Sequence, residues 1–392
     1  MMNKALLENR VQDFINANIN CDITRLLFKG SPFPEIDIKD IVEQIEAKKK
    51  CQKKLPTWFS SEKIYFPNKL NIEQSSSEIT ARYKASLIKG SKIIDITGGF
   101  GVDCFYFSST FEHVTHCEIN EHLSNLASYN LAQLNKENIK CFVLDGLEYL
   151  NNSNDIYDCI YADPSRRSDV KGRVFLLEDC VPNIPDTLNQ LLKKSNNILL
   201  KISPLMDITS VISELNYVKE IHVVAVNNEV KELLIVIENN WNKPIKIKTI
   251  NWSKSLIQKF EFINGEYVEV TYTAPLKYLY EPNAAILKSG GFNQVSTQLS
   301  LKKLHKHSHL YTSDDLIDFP GRRFEIIDFY KYNKKKIKKQ INSNKANITI
   351  RNFPETVEQI RKKTDLKEGG EIYLFFTTNS KNEKVFINCK KL

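Results

Sequence analysis

Between Ile93 and Glu238 the chain alternates short apolar runs with spacers, and its last two runs, Ile221–Val226 and Glu232–Ile237, are only five residues apart. A parallel crossover needs about a dozen residues or more, so these two strands must form an antiparallel hairpin. The earlier runs are Ile93–Ile96, Val114–Glu118, Ile139–Leu144, Cys159–Ala162 and Asn197–Ile202. Helical stretches fill the intervals between them, which predicts a mostly parallel α/β sheet closed by a hairpin.

The flanking regions have different patterns. Residues 1–70 read as helices, among them Lys4–Ala17 and Ile38–Lys49, parted by the Gly30–Pro34 turn region. The second helix runs out in KKKCQKK, which reads as a solvated face. Past Trp241 come short alternating runs, Pro244–Ile250, Gln258–Ile263 and Tyr267–Tyr272, with Asn264-Gly265 as the expected hairpin turn. A helix near Asn283–Leu287 and the stretch LHKHSHLY follow. A strand at Phe324–Phe329, a basic helix at Lys331–Asn342 and a strand at Ala346–Arg351 then precede a helix near Pro354–Lys363. Strands at Glu371–Phe376 and Val385–Asn388 complete a compact α+β module.

Charge separates the module from the rest. Residues 321–392 hold 18 Lys/Arg against 8 Asp/Glu, a net of +10, while the first 320 residues carry a net of −2. The excess suits a polyanion or, equally, a solvated lysine-rich surface. No apolar run approaches the roughly 20 residues that cross a bilayer, so no membrane partner is expected. The amphipathic start, with Glu8, Asp13 and Asp22, does not read as a signal peptide. Eight scattered cysteines without a CxxC pair point to reduced thiols in the cytoplasm. His305, His307 and His309 would share one face if extended, but no Cys or acid stands at ligand spacing, so no metal is expected.

Four features fall at the carboxyl ends of successive strands, where open α/β sheets bind ligands. The first is IIDITGGFGVDCF, in which a strand ends at Asp95 and Gly98, Gly99 and Gly101 form a tight turn before a helix. Glu118 ends the next strand, where a carboxylate can accept both ribose hydroxyls of a nucleoside. Asp145-Gly146 follows the third strand, and Asp163-Pro164-Ser165-Arg166-Arg167 the fourth. Singly, Glu118 or Asp145 could be a helix N-cap and the glycines an ordinary turn. Together, in register, they define one rim. Lys201, in KISP at the end of the fifth strand, lies on the same rim and could meet a substrate phosphate or snorkel to solvent.

This set resembles the class I S-adenosylmethionine-dependent methyltransferases over residues 71–240. Asp95-Ile-Thr-Gly-Gly-Phe-Gly101, Glu118, Asp145 and Asp163-Pro164 stand as the four motifs, and the terminal hairpin is that family's hallmark. More narrowly, the chain resembles a bacterial group in which a ferredoxin-like and a THUMP-like domain follow. That likeness rests on Gln74–Lys84 (QSSSEITARYK), Lys201–Pro204, Tyr280–Leu287 (YEPNAAIL) and the basic module. The resemblance implies a Rossmann-like α/β sheet with a terminal hairpin, a helical region at 1–70, a methyltransferase domain at 71–240, a small ferredoxin-like α+β domain at 241–318 and a THUMP-like domain at 319–392.

It also implies S-adenosylmethionine as cofactor, held by Asp95, Thr97, Gly98, Gly99, Gly101, Glu118, Asp145 and Gly146, with Thr80 bordering the pocket. Asp163 and Pro164 would present the acceptor, Asp163 accepting a hydrogen bond from it or taking its proton. THUMP domains bind structured RNA, so the implied substrate is RNA. Families that methylate exocyclic base amines carry a second proline and an aromatic after Asp/Asn-Pro; here Ser165 and Arg166 replace them, which puts an exocyclic amine in doubt. Arg166 and Arg167 could instead grip a phosphate or carboxylate, or pair with nearby acids at the surface. Cys180 does not stand where a cytosine-ring methyltransferase needs its nucleophile and reads as a structural thiol. The competing readings are a methyltransferase for a small molecule or protein and a non-catalytic scaffold. A nicotinamide enzyme fits poorly, because Cys104 stands where GxGxxG needs its third glycine.

Overall fold

In the computed structural model, residues 2–166, 176–253, 256–333, 337, 341 and 343–392 are described. The chain divides into two compact units, Met1–Lys219 with Leu234–Lys243 and Glu220–Leu233 with Pro244–Leu392.

The first unit begins with five helices, α1 Asn9–Ala17, α2 Ile23–Lys29, α3 Ile38–Lys54, α4 Pro56–Ser60 and α5 Lys69–Gln74. The helix expected from Lys4 begins as a 3-10 turn, Lys4–Leu7, and breaks at Glu8, which is extended. The helix expected to end at Lys49 runs on to Lys54, since Cys51 continues its buried face and the final lysines face the negative end of the helix dipole. Leu6, Val11, Ile15, Leu26, Ile41 and Ile45 form a small core of their own.

Side-chain amides hold the Tyr65-Phe66 segment, one from within this region and one from the sheet layer. Gln44 exchanges hydrogen bonds with the backbone of Phe66 at 2.8 and 2.9 Å, and Asn130 does the same for Tyr65. Trp58 is fully buried, with ring centroids 6.2, 4.7 and 6.5 Å from Phe100, Phe105 and Tyr106. The helical region therefore packs directly beneath the glycine turn.

The sheet strands are β1 Gly90–Asp95, β2 Phe111–Glu118, β3 Ile139–Val143, β4 Cys159–Ala162, β5 Asn197–Ile202, β6 Val218–Val226 and β7 Glu229–Glu238. In the first unit the order is β7-β5-β4-β1-β2-β3, β7 by its second half. The pairs from β5 to β3 are all parallel. Apolar side chains bury β4 on both faces, as a central parallel strand requires. Between the strands lie α6 Glu78–Leu87, preceding β1, then α7 Val102–Phe107, α8 Glu121–Gln133 and α9 Gly146–Asn152. Asn120 caps α8 and Asp145 caps α9, so chain reversal and helix start coincide at the strand ends.

The second unit holds most of β6 and the first half of β7, joined at Asn227-Asn228, whose φ angles of 51° and 63° suit a two-residue hairpin turn. Beside β6 lie β8 Lys246–Trp252, parallel to it, and β9 Ile257–Ile263, antiparallel to β8. This corrects the hairpin expected at Asn264-Gly265: Gln258–Ile263 turns back onto β8 instead. Tyr267–Tyr272 forms no strand beyond a single bridge from Tyr272 to Lys303, and Tyr267 is exposed. The physical reason is burial: Phe260 and Phe262 gain an apolar face beside β8, and Tyr267–Tyr272 offers none.

A second sheet follows, built of β10 Tyr278–Pro282, β11 Tyr311–Ser313, β12 Gly321–Lys331, β13 Asn347–Arg351, β14 Ile372–Thr378 and β15 Lys384–Lys391. With the short strand Lys302–Lys303 at its edge, the order runs 302–303, β11, β10, β12, β15, β14, β13. Glu281, 3% exposed, binds Arg322 and also Arg351, at 2.8 Å, which explains the acid in YEPNAAIL. The three histidines are not on one extended face: Leu304 N–H closes the loop onto Leu310 O, and His309 stacks on Phe292 at 3.6 Å. The basic helix expected at Lys331–Asn342 lies largely outside the described residues. Among the described residues no helix is long and apolar enough to cross a membrane, and no group of three metal-ligating side chains occurs.

Candidate active site

The turn after β1 is built on close approach. A Cβ on Gly98 would fall 2.3 Å from the His116 ring, which is fully buried beneath it. Only glycine lets the turn lie on that ring. The far side is open: at Gly99, with φ of 55°, an added Cβ would find nothing nearer than Thr97 O at 3.8 Å, so a ligand can lie against the backbone. Gly101, at φ 80°, opens α7. His116 Nε2 lies 3.2 Å from Gly99 O, and burial holds this imidazole below its usual range, so the neutral ring with its proton on Nε2 donates to that carbonyl.

The same turn reaches both neighbouring strand ends. Toward β2, Gly99 N–H donates to Glu118 Oε2 at 2.9 Å, and Asn120 N–H donates to Oε1 at 2.8 Å. Each oxygen keeps a lone pair for a hydroxyl. Toward β4, the Asp163 N–H donates to Thr97 Oγ1 at 2.7 Å, and the Thr97 hydroxyl and N–H both donate to Asp95 Oδ1, at 3.1 and 2.9 Å. Asp95 is 2% exposed, and burial pushes its carboxyl up to about 7. On the next strand end Asp145 Oδ1 caps α9 through Leu147 and Glu148 N–H at 2.8 and 3.2 Å, with Gly146 buried as the first helical residue. At the end of β5, the Lys201 ammonium is ion-paired to Asp163 Oδ2.

Other expected residues sit differently. Pro164 is buried and leads into Ser165–Arg166, which pairs antiparallel with Cys180–Val181. Arg167 lies outside the described residues. Thr80 is 3% exposed at the start of α6, and its hydroxyl donates to Ser77 O at 3.1 Å; none of its hydrogen bonds reaches the glycine turn. The rest of QSSSEITARYK has a clear packing role. Lys84, fully buried, lies 3.2 Å from Asp103 Oδ1, while Ser76 and Tyr161 hydroxyls donate to Asp103 Oδ2 at 2.8 and 2.9 Å. This network fastens α6 to the helix that follows the glycines. The nearby thiols are inert: burial raises Cys104 well above its ordinary value and Cys117 and Cys159 to about 12.

His116 and Ile119 carry no motif in the sequence. His116 became visible only once β1 and β2 paired; Ile119, 73% exposed directly after Glu118, could have been noticed as an apolar residue at a strand end.

A parallel sheet in this order with its terminal hairpin, a glycine turn after β1 and acids on the next three strand ends, defines the class I S-adenosylmethionine-dependent methyltransferase fold. Residues 278–320 match a family described as a ferredoxin-like domain and residues 321–391 one described as THUMP domain-like. A crystal structure from Porphyromonas gingivalis W83, of a protein classed as a candidate methyltransferase, aligns over 100% of this chain and 99% of its own. It shares 32% sequence identity at a TM-score of 0.89. The chain belongs to the bacterial group of class I methyltransferases that carry ferredoxin-like and THUMP-like domains at the C-terminus.

Two smaller structures overlap it in part. An rRNA methylase from Streptococcus thermophilus has 14% identity, covers 42% of this chain and 98% of its own, and has a TM-score of 0.31. A candidate methyltransferase from Streptococcus mutans in complex with SAH has 14% identity, covers 41% and 96%, and has the same TM-score of 0.31. At these scores neither adds weight. No curated protein matches the chain.

Proposed function

We propose that this chain transfers a methyl group from S-adenosylmethionine to a nucleotide of structured RNA, ribosomal or transfer RNA, with Asp163 positioning the acceptor. One observation carries the reading: a single glycine turn holds Glu118 through Gly99 and Asp163 through Thr97. A nucleoside site and an acceptor site therefore share one rigid element, which is what an in-line displacement needs.

The residues fit the cofactor. Glu118 takes the ribose hydroxyls, and Asp145 Oδ2, not used by the α9 cap, takes the adenine amine. Ile119 offers its exposed side chain to the adenine face, and the open side of Gly98, Gly99 and Gly101 borders the methionine and ribose. S-adenosylmethionine, when bound, supplies the electrophilic methyl group. Asp163 accepts a hydrogen bond from the acceptor and, where the acceptor sheds a proton, receives it. The RNA part of the reading is supported by the THUMP-like match and by the net +10 of residues 321–392. Eight free thiols suit a reducing cytoplasm.

The test is incubation with methyl-labelled S-adenosylmethionine and total RNA, protein and small-molecule extract from cells lacking the protein, with Asp163→Ala as control. Label entering RNA only with the unaltered chain is the expected result. Label in protein or small molecules would move the substrate to that class. Cofactor binding without any labelled product would favour the scaffold.

A further inference from the structure

Against the net −2 of residues 1–320, the stretch Lys48–Lys54 holds five lysines in seven residues and no acid. The structure divides these lysines by role. Lys48 turns inward, 6% exposed, bonded to Asn16 Oδ1 at 2.6 Å and lying 5.9 and 6.0 Å from the Phe59 and Phe66 ring centres. Lys49, Lys50 and Lys53 instead line a groove of about 470 Å3, together with Ile23, Ile45 and Lys69.

Its electrostatics are unbalanced. Lys50 is paired with Glu73 at 2.8 Å, and Lys69 is 3.7 Å from Glu46, the one acid lining the groove. Lys49 and Lys53 have no ionic partner among the described residues. They stand four apart on α3, about 6 Å along the helix, as like charges on one face. A regularly charged polyanion laid along the groove would compensate both ammonium groups at once, the spacing along α3 being of the order of one nucleotide step.

We propose that this groove, on the helical N-terminal region, binds the phosphodiester backbone of the RNA; the proposal rests on the RNA reading above. Contacts of this kind position a substrate without reading its sequence.

The test uses the full chain and fluorescein-labelled bulk transfer RNA, with affinity measured from 50 to 250 mM salt. Losing two phosphate contacts lowers the slope of log affinity against log salt by about 1.4 to 1.8. Lys49→Gln/Lys53→Gln is therefore expected to show that loss and to bind about tenfold or more weakly near 0.1 M salt. Its melting temperature should be unchanged. Lys89→Gln/Lys140→Gln, with the same charge change on exposed positions outside the groove, should stay within about twofold of the unaltered chain.

An unchanged slope in the groove variant, or an equal fall in the control, overturns the proposal while RNA binding by the unaltered chain still stands. Absence of RNA binding by the unaltered chain would overturn the RNA reading itself. Capture of labelled polyglutamate without any RNA would reassign the groove to an acidic protein segment.

Discussion

The Lys201 ammonium rests on the Asp163 carboxylate, linking the ends of the neighbouring parallel strands β4 and β5. Asp163 is thus held at two points, its backbone N–H by Thr97 and its side chain by Lys201. The ion pair engages Oδ2 of a carboxylate that is one-third exposed.

Replacing Lys201 should therefore damage chemistry more than cofactor binding. Lys201→Gln is expected to lower methyl transfer about 100-fold or more, within the range for a positioned acid–base group. Cofactor affinity should stay within about threefold, and Lys201→Arg should recover part of the rate by keeping a cation in place. Single-turnover label transfer together with calorimetric cofactor titration checks this. An equal loss in both quantities would make Lys201 a cofactor residue instead.

Glu118 should show the opposite pattern. Its two oxygens anchor Gly99 and Asn120 N–H and face the expected ribose position. A hydrogen bond to a charged group contributes about 1.5–3 kcal/mol, so Glu118→Ala should weaken S-adenosylmethionine roughly 10- to 100-fold. Calorimetry with the cofactor and with S-adenosylhomocysteine would read this directly, and unaltered affinity would remove Glu118 from the site.

The contact between Gly98 and His116 supports a double-mutant test. Gly98→Ala places a methyl group 2.3 Å from the ring, an overlap that the buried imidazole has little room to relieve. Overpacking of this kind costs about 1–3 kcal/mol, visible as a lower melting temperature and weaker cofactor binding. Adding His116→Ala should restore part of both. Strictly additive losses would show that the two residues do not compete for the same space.

Asp95 makes stability depend on pH. Burial raises its carboxyl from an ordinary 3.8 to about 7, so the folded protein keeps a proton that the unfolded chain releases. The associated stability is complete below about pH 4 and is lost as pH rises toward 7. Asp95→Asn keeps an acceptor for Thr97 and carries no charge, so its melting temperature should lose this decline. Melting curves from pH 4 to 8 compare the two proteins. Parallel curves would place the titration elsewhere.

Much of the fold was legible because it is local. Cys159–Ala162 and Asn197–Ile202 form strands at the expected bounds, and the five-residue gap before Glu232 forced a hairpin. What failed was partner choice. Asn264-Gly265 has turn chemistry, yet β9 pairs backward with β8, since turn residues permit a reversal without stating which strand supplies the apolar face.

The candidate site divides in the same way. Glycines, strand-end acids and their order are properties of short segments, and the sequence alone determined them, with the parallel sheet and the charge of the C-terminal module. Tertiary structure alone decided that Lys201 meets Asp163, that His116 lies under Gly98, and that Trp58 packs beneath the turn. Periodicity records which face of an element is buried. The distances that join residues 38, 18 and 42 positions apart exist only after the sheet has formed and burial has made each unmatched charge or void costly.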